Sequence, residues 1–132
     1  MWDPHLTKDK TLLENVQKFA CRIASSHWDA SHDDLLRFFE LQTLHERRLH
    51  AKLGLLFKIV LKLCHFPDNT FCFRQQSYSR RANHLPLVVP FAHTNAYLHS
   101  FVPHTTSLRN SLPDECISVS SVRAFKRSLC SQ

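Results

Sequence analysis

Apolar residues recur at helical spacing through the first half of this 132-residue chain, and this pattern constrains the fold more than any other feature. The longest such segment places six apolar residues on one broad face: Leu49, Leu53, Leu56, Phe57, Val60 and Leu63. Thr43 and Glu46 form a capping-box signature at its start, and Pro67 closes it. The only glycine, Gly54, lies inside the segment, where it is predicted to permit close helix packing rather than to mark a hinge.

Two further helices are predicted before this one. Residues 7–25 carry an apolar stripe with charged and amide side chains mostly elsewhere around the helix, so this stripe needs a partner. The stripe consists of Leu12, Val16, Phe19, Ala20 and Ile23. Ser31 and Asp34 repeat the capping signature, and the short helix that follows is apolar on more than one side, which is typical of a core helix.

After Pro67 the chain is punctuated by prolines 86, 90, 103 and 113. Short strands are predicted at 87–91 and 96–102, joined into a hairpin by the polar turn 93–95. A short helix is predicted to start at Pro103 and to end before Pro113. A last helix, capped by Ser120 or Ser121, places Val122, Phe125 and Leu129 on one side.

These elements predict a mainly α fold with a small β-hairpin (α+β) in a single domain. Residues 1–66 form its helical part, with three helices, and residues 67–132 form a proline-punctuated part with the hairpin and two short helices. At 132 residues, one domain is the default for a chain of this length.

The formal charge of +6 favours acidic partners such as nucleic acid. Residues 67–132 carry seven basic and three acidic side chains, whereas residues 1–66 carry ten and eight. Any contact with a polyanion is therefore expected to involve mainly the second half. The ten histidines add charge only below a pH of about 6.5.

The five cysteines form an odd set without a close pair, and no signal peptide precedes them. Reduced thiols in the cytoplasm or nucleus fit this pattern, so we expect an intracellular protein that is not secreted. The longest mainly apolar run, residues 53–63, is interrupted by lysines and is shorter than the roughly 20 residues of a spanning helix. No membrane partner is expected.

No constellation in the sequence predicts catalysis. Asp33-Asp34 resembles a metal-binding carboxylate pair, but it opens a helix and is interpreted as part of the cap. Cys64, His65 and Cys72 are the nearest approach to a zinc site and lack paired ligand spacing. A single glycine excludes glycine-rich phosphate loops. We predict no catalytic residue, metal or cofactor.

Basic side chains cluster at three places and are the candidate nucleic-acid contacts. The candidates are Arg47, Arg48 and Lys52, then Arg80 and Arg81, then Arg123, Lys126 and Arg127. The alternative is a solvated basic face without a partner. The ten phenylalanines fall mostly on apolar faces, so core packing is favoured over a base-stacking platform.

Ordered segments along nearly the whole chain resemble the carboxyl-terminal end of LINE-type reverse transcriptases, closest to the jockey and chicken-repeat elements. The matching segments are Trp2-Asp3-Pro4, residues 13–22, residues 41–48, Pro90-Phe91, Phe101-Val102-Pro103, Asn110-Ser111-Leu112-Pro113 and residues 121–126. Each segment alone is weak, whereas their order and spacing are specific.

This resemblance implies a helical, thumb-like region downstream of the fingers and palm of an RNA-directed DNA polymerase, in a polyprotein with an endonuclease upstream. The catalytic aspartates belong to the missing part, so the chain is expected to be non-catalytic and to support template and primer binding beside the rest of the enzyme. Arg47-Arg48 match paired arginines of the family, as polyanion or packing positions. Trp2, directly after the initiator methionine, suggests that the chain starts inside a larger protein.

The chain departs from the family at Arg109, where related sequences usually have tryptophan. An arginine fills an indole-shaped core site only if its charge is paired or reaches the surface. This departure is interpreted as a mark of a decaying element copy. Two alternatives to the polymerase fragment stay open: a small host-retained basic module that binds nucleic acid or protein, and a non-functional remnant of the element.

Overall fold

The computed structural model describes residues 4–67, 70–74 and 86–130. These residues form seven helices: α1 Thr7–Ser25, α2 His32–Phe38, α3 Leu44–Val60, α4 Asn95–Leu98, α5 Phe101–Ser111, α6 Asp114–Ile117 and α7 Val122–Cys130. One isolated antiparallel bridge, between Phe73 and Leu87, is the only β pairing in this part of the chain. The mainly α prediction is confirmed. None of the described helices has both the length and the apolar character needed to cross a membrane.

The predicted caps of the first-half helices are present. Ser31 Oγ accepts from the Asp34 N–H at 3.2 Å, which starts α2. Thr43 Oγ1 accepts from the Glu46 N–H at 3.2 Å, and Glu46 Oε2 accepts from the Thr43 N–H at 3.1 Å, which completes a reciprocal capping box at α3. Capping residues close in sequence therefore mark both helix starts.

Helix α3 ends earlier than the proline predicted. Its last turn closes with a Schellman motif, in which the Leu63 N–H donates to Lys58 O and the Lys62 N–H donates to Ile59 O. Lys62 occupies the left-handed region with φ of 56°, a position that glycine usually fills. Leu63 is therefore outside the helix and exposed, contrary to its predicted place on the apolar face.

The predicted hairpin is wrong. Thr94 Oγ1 accepts from the Tyr97 N–H at 3.2 Å and caps α4, so the supposed turn is a helix start. Residues 96–102 are mostly helical, in α4 and the beginning of α5. Leu87 is the only residue of the first predicted strand that pairs, and its partner is Phe73.

Helix α5 begins at Phe101, two residues before the predicted start. Pro103 fits inside the first turn because the leading N–H groups of a helix have no intrahelical acceptor to lose. Helix α7 matches its prediction: Ser121 Oγ accepts from the Ala124 N–H at 3.2 Å, and Phe125 and Leu129 are buried.

The chain forms two compact units, Met1–Leu49 and His50–Gln132, whose boundary lies within α3. In the first unit α1 packs against α2, and the buried side chains are Gln17, Cys21, Leu35, Leu36 and Arg48. The second unit buries Leu53, Leu56, Phe57, Leu87, Cys116, Phe125 and Leu129, together with Lys52, Thr105 and Thr106. The rings of Phe57 and Phe125 stack at 4.3 Å between centroids.

Candidate polyanion interface

Helix α7 presents three basic side chains on one exposed face, which we call the α7 basic face: Arg123, Lys126 and Arg127. Residues three and four apart lie next to each other on a helix, so these three charges cluster within about one turn. Phe125 and Leu129 anchor the opposite side in the interior of the second unit. The helix is thereby held with its charged side toward solvent.

No acidic residue of α7 itself offsets the charge of the α7 basic face. Helix α7 contains no acidic residue, and no ion pair involves these three side chains among the described residues. The Lys126 side chain lies over α3, since a Cβ built on Gly54 would lie 3.7 Å from Lys126 Cε. The stem packs against α3 although Lys126 as a whole is exposed, the usual compromise for a long cationic side chain.

The three predicted contact residues of α3 divide into one exposed side chain and two buried ones. Arg47 is exposed on the first unit. Arg48, also of the first unit, is buried, with Nη2 3.9 Å from Glu14 Oε1. Lys52, in the second unit, is buried with Nζ 3.3 Å from His104 Nδ1. The prediction that Arg48 and Lys52 contact nucleic acid therefore does not fit their burial.

Arg80 and Arg81, the middle cluster of the prediction, lie outside the described residues. Arg74, which precedes them in the sequence, is exposed, and its backbone N–H donates to Pro86 O at 2.9 Å. Of the predicted contact residues, only Arg47 and the α7 basic face are thus placed at the surface by the described structure.

Glu14 is a structural residue that the sequence reasoning missed. Its carboxylate accepts from the Leu44 N–H at 3.2 Å and from the His45 N–H at 2.8 Å, so a side chain of α1 caps the start of α3. With the Thr43 cap, the first three N–H groups of α3 all have acceptors. His32 Nε2 lies 3.8 Å from the same carboxylate. No pattern in the sequence links Glu14 to the start of α3, which lies 30 residues further along the chain.

Two amides tie loops to helices in the same manner. Gln17 Nε2 donates to Gln42 O at 3.3 Å within the first unit. In the second unit, Asn110 accepts from the Leu87 N–H at 3.0 Å and donates to Leu87 O at 2.8 Å, so its side chain pairs with that backbone as a neighbouring strand would. The family-like segments that contain Gln17 and Asn110 therefore have a packing role in this chain.

The structure gives no support to a catalytic carboxylate pair at Asp33-Asp34 or to a metal site among the described residues. Asp33 and Asp34 are exposed in the first turn of α2, where Asp34 Oδ2 accepts from the Ser31 hydroxyl at 2.7 Å. Across the residues that the structure describes, no three His, Cys, Asp or Glu side chains are grouped so as to hold a metal ion.

Arg109 lies half-buried against the core of the second unit. Its guanidinium carbon is 5.7 Å from the centroid of the Phe73 ring, a cation–π contact, and Nη1 is 3.4 Å from Asn110 Oδ1. Arg109 lines a cavity of about 20 Å³ together with Leu53, Leu56, Phe57, Val60, Ile117 and Phe125. Burial lowers the pKa of the Arg109 side chain.

The fold and the exposed basic helix together define a small, mainly α protein with a cationic face on α7. No protein-family model, no curated protein and no solved structure matches the chain.

Proposed function

We propose that this chain is a non-catalytic, nucleic-acid-binding module that corresponds to the carboxyl-terminal, thumb-like region of a LINE-type reverse transcriptase. In the parent polymerase it supports the template and primer. The observation that carries the binding role is the α7 basic face, where Arg123, Lys126 and Arg127 converge on a helix anchored by Phe125 and Leu129. The order of the family-like segments supports the parent class.

A rigid helix with three adjacent cations suits a phosphate backbone better than a carboxylate partner. Phosphates repeat along a strand, so several can be neutralised at once, and each neutralised phosphate releases a counterion. Such contacts position a nucleic acid without reading its bases, which is the task of a surface that supports a template and primer. The formal charge of +6 adds a general attraction to polyanions.

The salt dependence of binding tests the α7 basic face. With an RNA–DNA hybrid as probe, we expect the triple variant Arg123→Gln, Lys126→Gln, Arg127→Gln to weaken binding. The slope of log affinity against log salt should flatten by roughly 0.9 for each lost phosphate contact. Fluorescence anisotropy across a salt series measures both quantities.

A matched control removes the same net charge elsewhere. Lys8, Arg37 and Lys62 are exposed and lie off α7, so their triple replacement by glutamine tests bulk charge alone. A retained slope in this control, with a flattened slope in the α7 variant, supports the proposal. If both triple variants lose affinity and slope equally, or if neither loses any, the α7 basic face is not the binding site.

The non-catalytic part of the proposal has its own assay. The purified chain is expected to extend no primer on an RNA template at any Mg²⁺ concentration. Primer extension that is lost on Asp33→Ala with Asp34→Ala would show an autonomous polymerase and overturn the assignment.

A further inference from the structure

Helix α1 turns its apolar side away from the unit that it helps to build. All five residues of its predicted stripe are exposed, and we call the four larger ones the α1 seam: Leu12 at 63%, Val16 at 65%, Phe19 at 57% and Ile23 at 56%. The stripe that needed a partner therefore remains uncovered within the described structure. The Trp28 ring lies edge-on to Phe19, at 6.2 Å between centroids.

The opposite side of α1 is already engaged. Glu14 caps α3, Gln17 reaches the Gln42 carbonyl, and Cys21 is buried. These interactions fix the rotation of α1 about its own axis, because turning the seam inward would remove the α3 cap. The seam is thus held outward by polar bonds on the other side of the helix.

The spacing of the seam is that of a coiled coil. Its residues follow one another by four, three and four positions, which is the alternation of a and d positions in two heptads. On that assignment Leu12 and Phe19 occupy d positions, and Val16 and Ile23 occupy a positions. Glu14 and Cys21 then fall at f positions, on the far side from the seam, in agreement with their contacts inside the first unit.

The flanks of the seam favour a second copy over a charged partner. The flanking e and g positions are Leu13, Asn15, Ala20 and Arg22. Three of the four are uncharged, and the Arg22 guanidinium is directed to the Ala30 carbonyl at 3.4 Å. Two identical seams therefore meet without like-charge repulsion, and they offer no charged row that would select an oppositely charged helix.

An antiparallel pair makes the seam self-complementary. A two-fold axis midway between Val16 and Phe19 sets Leu12 opposite Ile23 of the second copy, and Val16 opposite Phe19. Every layer then joins an a position to a d position, and each larger side chain faces a smaller or branched one. With Trp28, 56% exposed, extending the patch, two copies bury roughly 1,000 Å² in total, near the lower limit for a specific interface.

We propose that the α1 seam is a homodimerisation surface in which α1 of one copy pairs antiparallel with α1 of another. This inference stands independently of the proposed nucleic-acid role, because the seam and the α7 basic face belong to different helices and different compact units. The small area implies a weak dimer, with a dissociation constant on the order of 10 µM.

Sedimentation equilibrium of the full chain over roughly 1–500 µM tests the pairing, since this range brackets a dissociation constant of that order. Val16→Lys places a charge in the centre of the seam and is expected to weaken the dimer by about tenfold or more. Ala24→Lys adds the same charge to an exposed position of α1 outside the seam and should leave the dissociation constant within about twofold. Circular dichroism checks that both variants stay helical.

Disulfide trapping tests the orientation. With Cys64, Cys72 and Cys130 replaced by serine, Leu12→Cys chains are mixed with Ile23→Cys chains under oxidising conditions. An antiparallel pair gives the mixed cross-link, whereas a parallel pair gives cross-links between like chains. A chain that stays monomeric throughout the range, or that dimerises equally well with Val16→Lys, overturns the proposal; cross-links only between like chains overturn the antiparallel arrangement.

Discussion

Glycine is missing from the backbone positions that favour it and present where it is not needed. Ser26, Glu40 and Lys62 all adopt positive φ at helix ends, whereas the single glycine, Gly54, lies within α3 and does not adopt positive φ. At the scale of single residues, we therefore expect two kinds of substitution to raise stability. One replaces the glycine inside α3, and the other places a glycine at a helix end that adopts positive φ.

Gly54→Ala is expected to stabilise the protein by about 0.5–1 kcal/mol, because alanine loses less backbone entropy in a helix. The added Cβ would lie 3.7 Å from Lys126 Cε, an ordinary van der Waals contact, so no clash offsets the gain. Thermal unfolding measures the change. The reverse change at an exposed position of α3, Ala51→Gly, should lower the melting temperature; a destabilising Gly54→Ala would show that close packing requires the glycine.

Lys62→Gly is expected to stabilise the second unit by about 0.5–1 kcal/mol, since glycine adopts the left-handed conformation of the Schellman motif without a Cβ penalty. Denaturant unfolding gives the free energy. Lys58→Gly, in the last turn of the same helix with ordinary helical geometry, serves as control and should destabilise. If both changes destabilise alike, the left-handed conformation of Lys62 carries no strain.

Arg109→Trp is expected to raise the melting temperature. The substitution removes a partly desolvated charge and sets an indole beside Phe73 and the 20 Å³ cavity. Arg37→Trp, at an exposed position of α2, controls for a general effect of tryptophan and should change stability by less than about 0.5 kcal/mol. An unchanged or lower melting temperature for Arg109→Trp would mean that position 109 is not a damaged core site.

At the scale of helices, the start of α3 depends on a side chain from another helix. Glu14→Ala removes the acceptor for two N–H groups and should destabilise by about 1–2 kcal/mol, whereas Glu14→Gln keeps one acceptor oxygen and should cost less. Urea unfolding, monitored by circular dichroism, measures the free energy of unfolding of both variants. Asp29→Ala, an exposed acid in the loop after α1, controls for loss of negative charge; equal costs at Asp29 and Glu14 would dismiss the cap.

Helix starts were predictable where the capping residue is adjacent in sequence, as at Ser31, Thr43 and Ser121. The hairpin was mispredicted because residues 96–102 carry apolar and aromatic side chains that suit a strand as well as a short helix. Thr94 decided between them by capping α4. Short apolar runs are ambiguous by periodicity alone, and only the local hydrogen bond resolved this one.

At the scale of the whole molecule, the five cysteines differ in solvent exposure. Cys72 and Cys130 are exposed, Cys64 is partly exposed, and Cys21 and Cys116 are buried. Alkylation of the native protein, read by mass spectrometry, should therefore modify Cys72 and Cys130 first, then Cys64, and Cys21 and Cys116 only after unfolding. Denatured protein, in which all five should react alike, is the control. Rapid labelling of Cys21 would show that α1 does not pack as described.

The sequence by itself determined the mainly α class, the extent of α1, the caps of α2, α3 and α7, and the buried side of α7. These features follow from residues within a few positions of each other, where spacing and side-chain hydrogen bonding act directly. The sequence also identified the α7 basic face, because helical spacing places its charged residues opposite its apolar ones.

Only the tertiary structure decided which face of α1 turns inward and which basic residues stay at the surface. The α1 stripe is more apolar, yet the side with Glu14, Gln17 and Cys21 faces the unit, since the backbone groups of α3 and its preceding loop need acceptors and donors that α1 supplies. Likewise Arg48 and Lys52 are buried beside Glu14 and His104, residues remote in sequence. Contacts between distant segments carry no periodic signal, so only the packed structure reveals them.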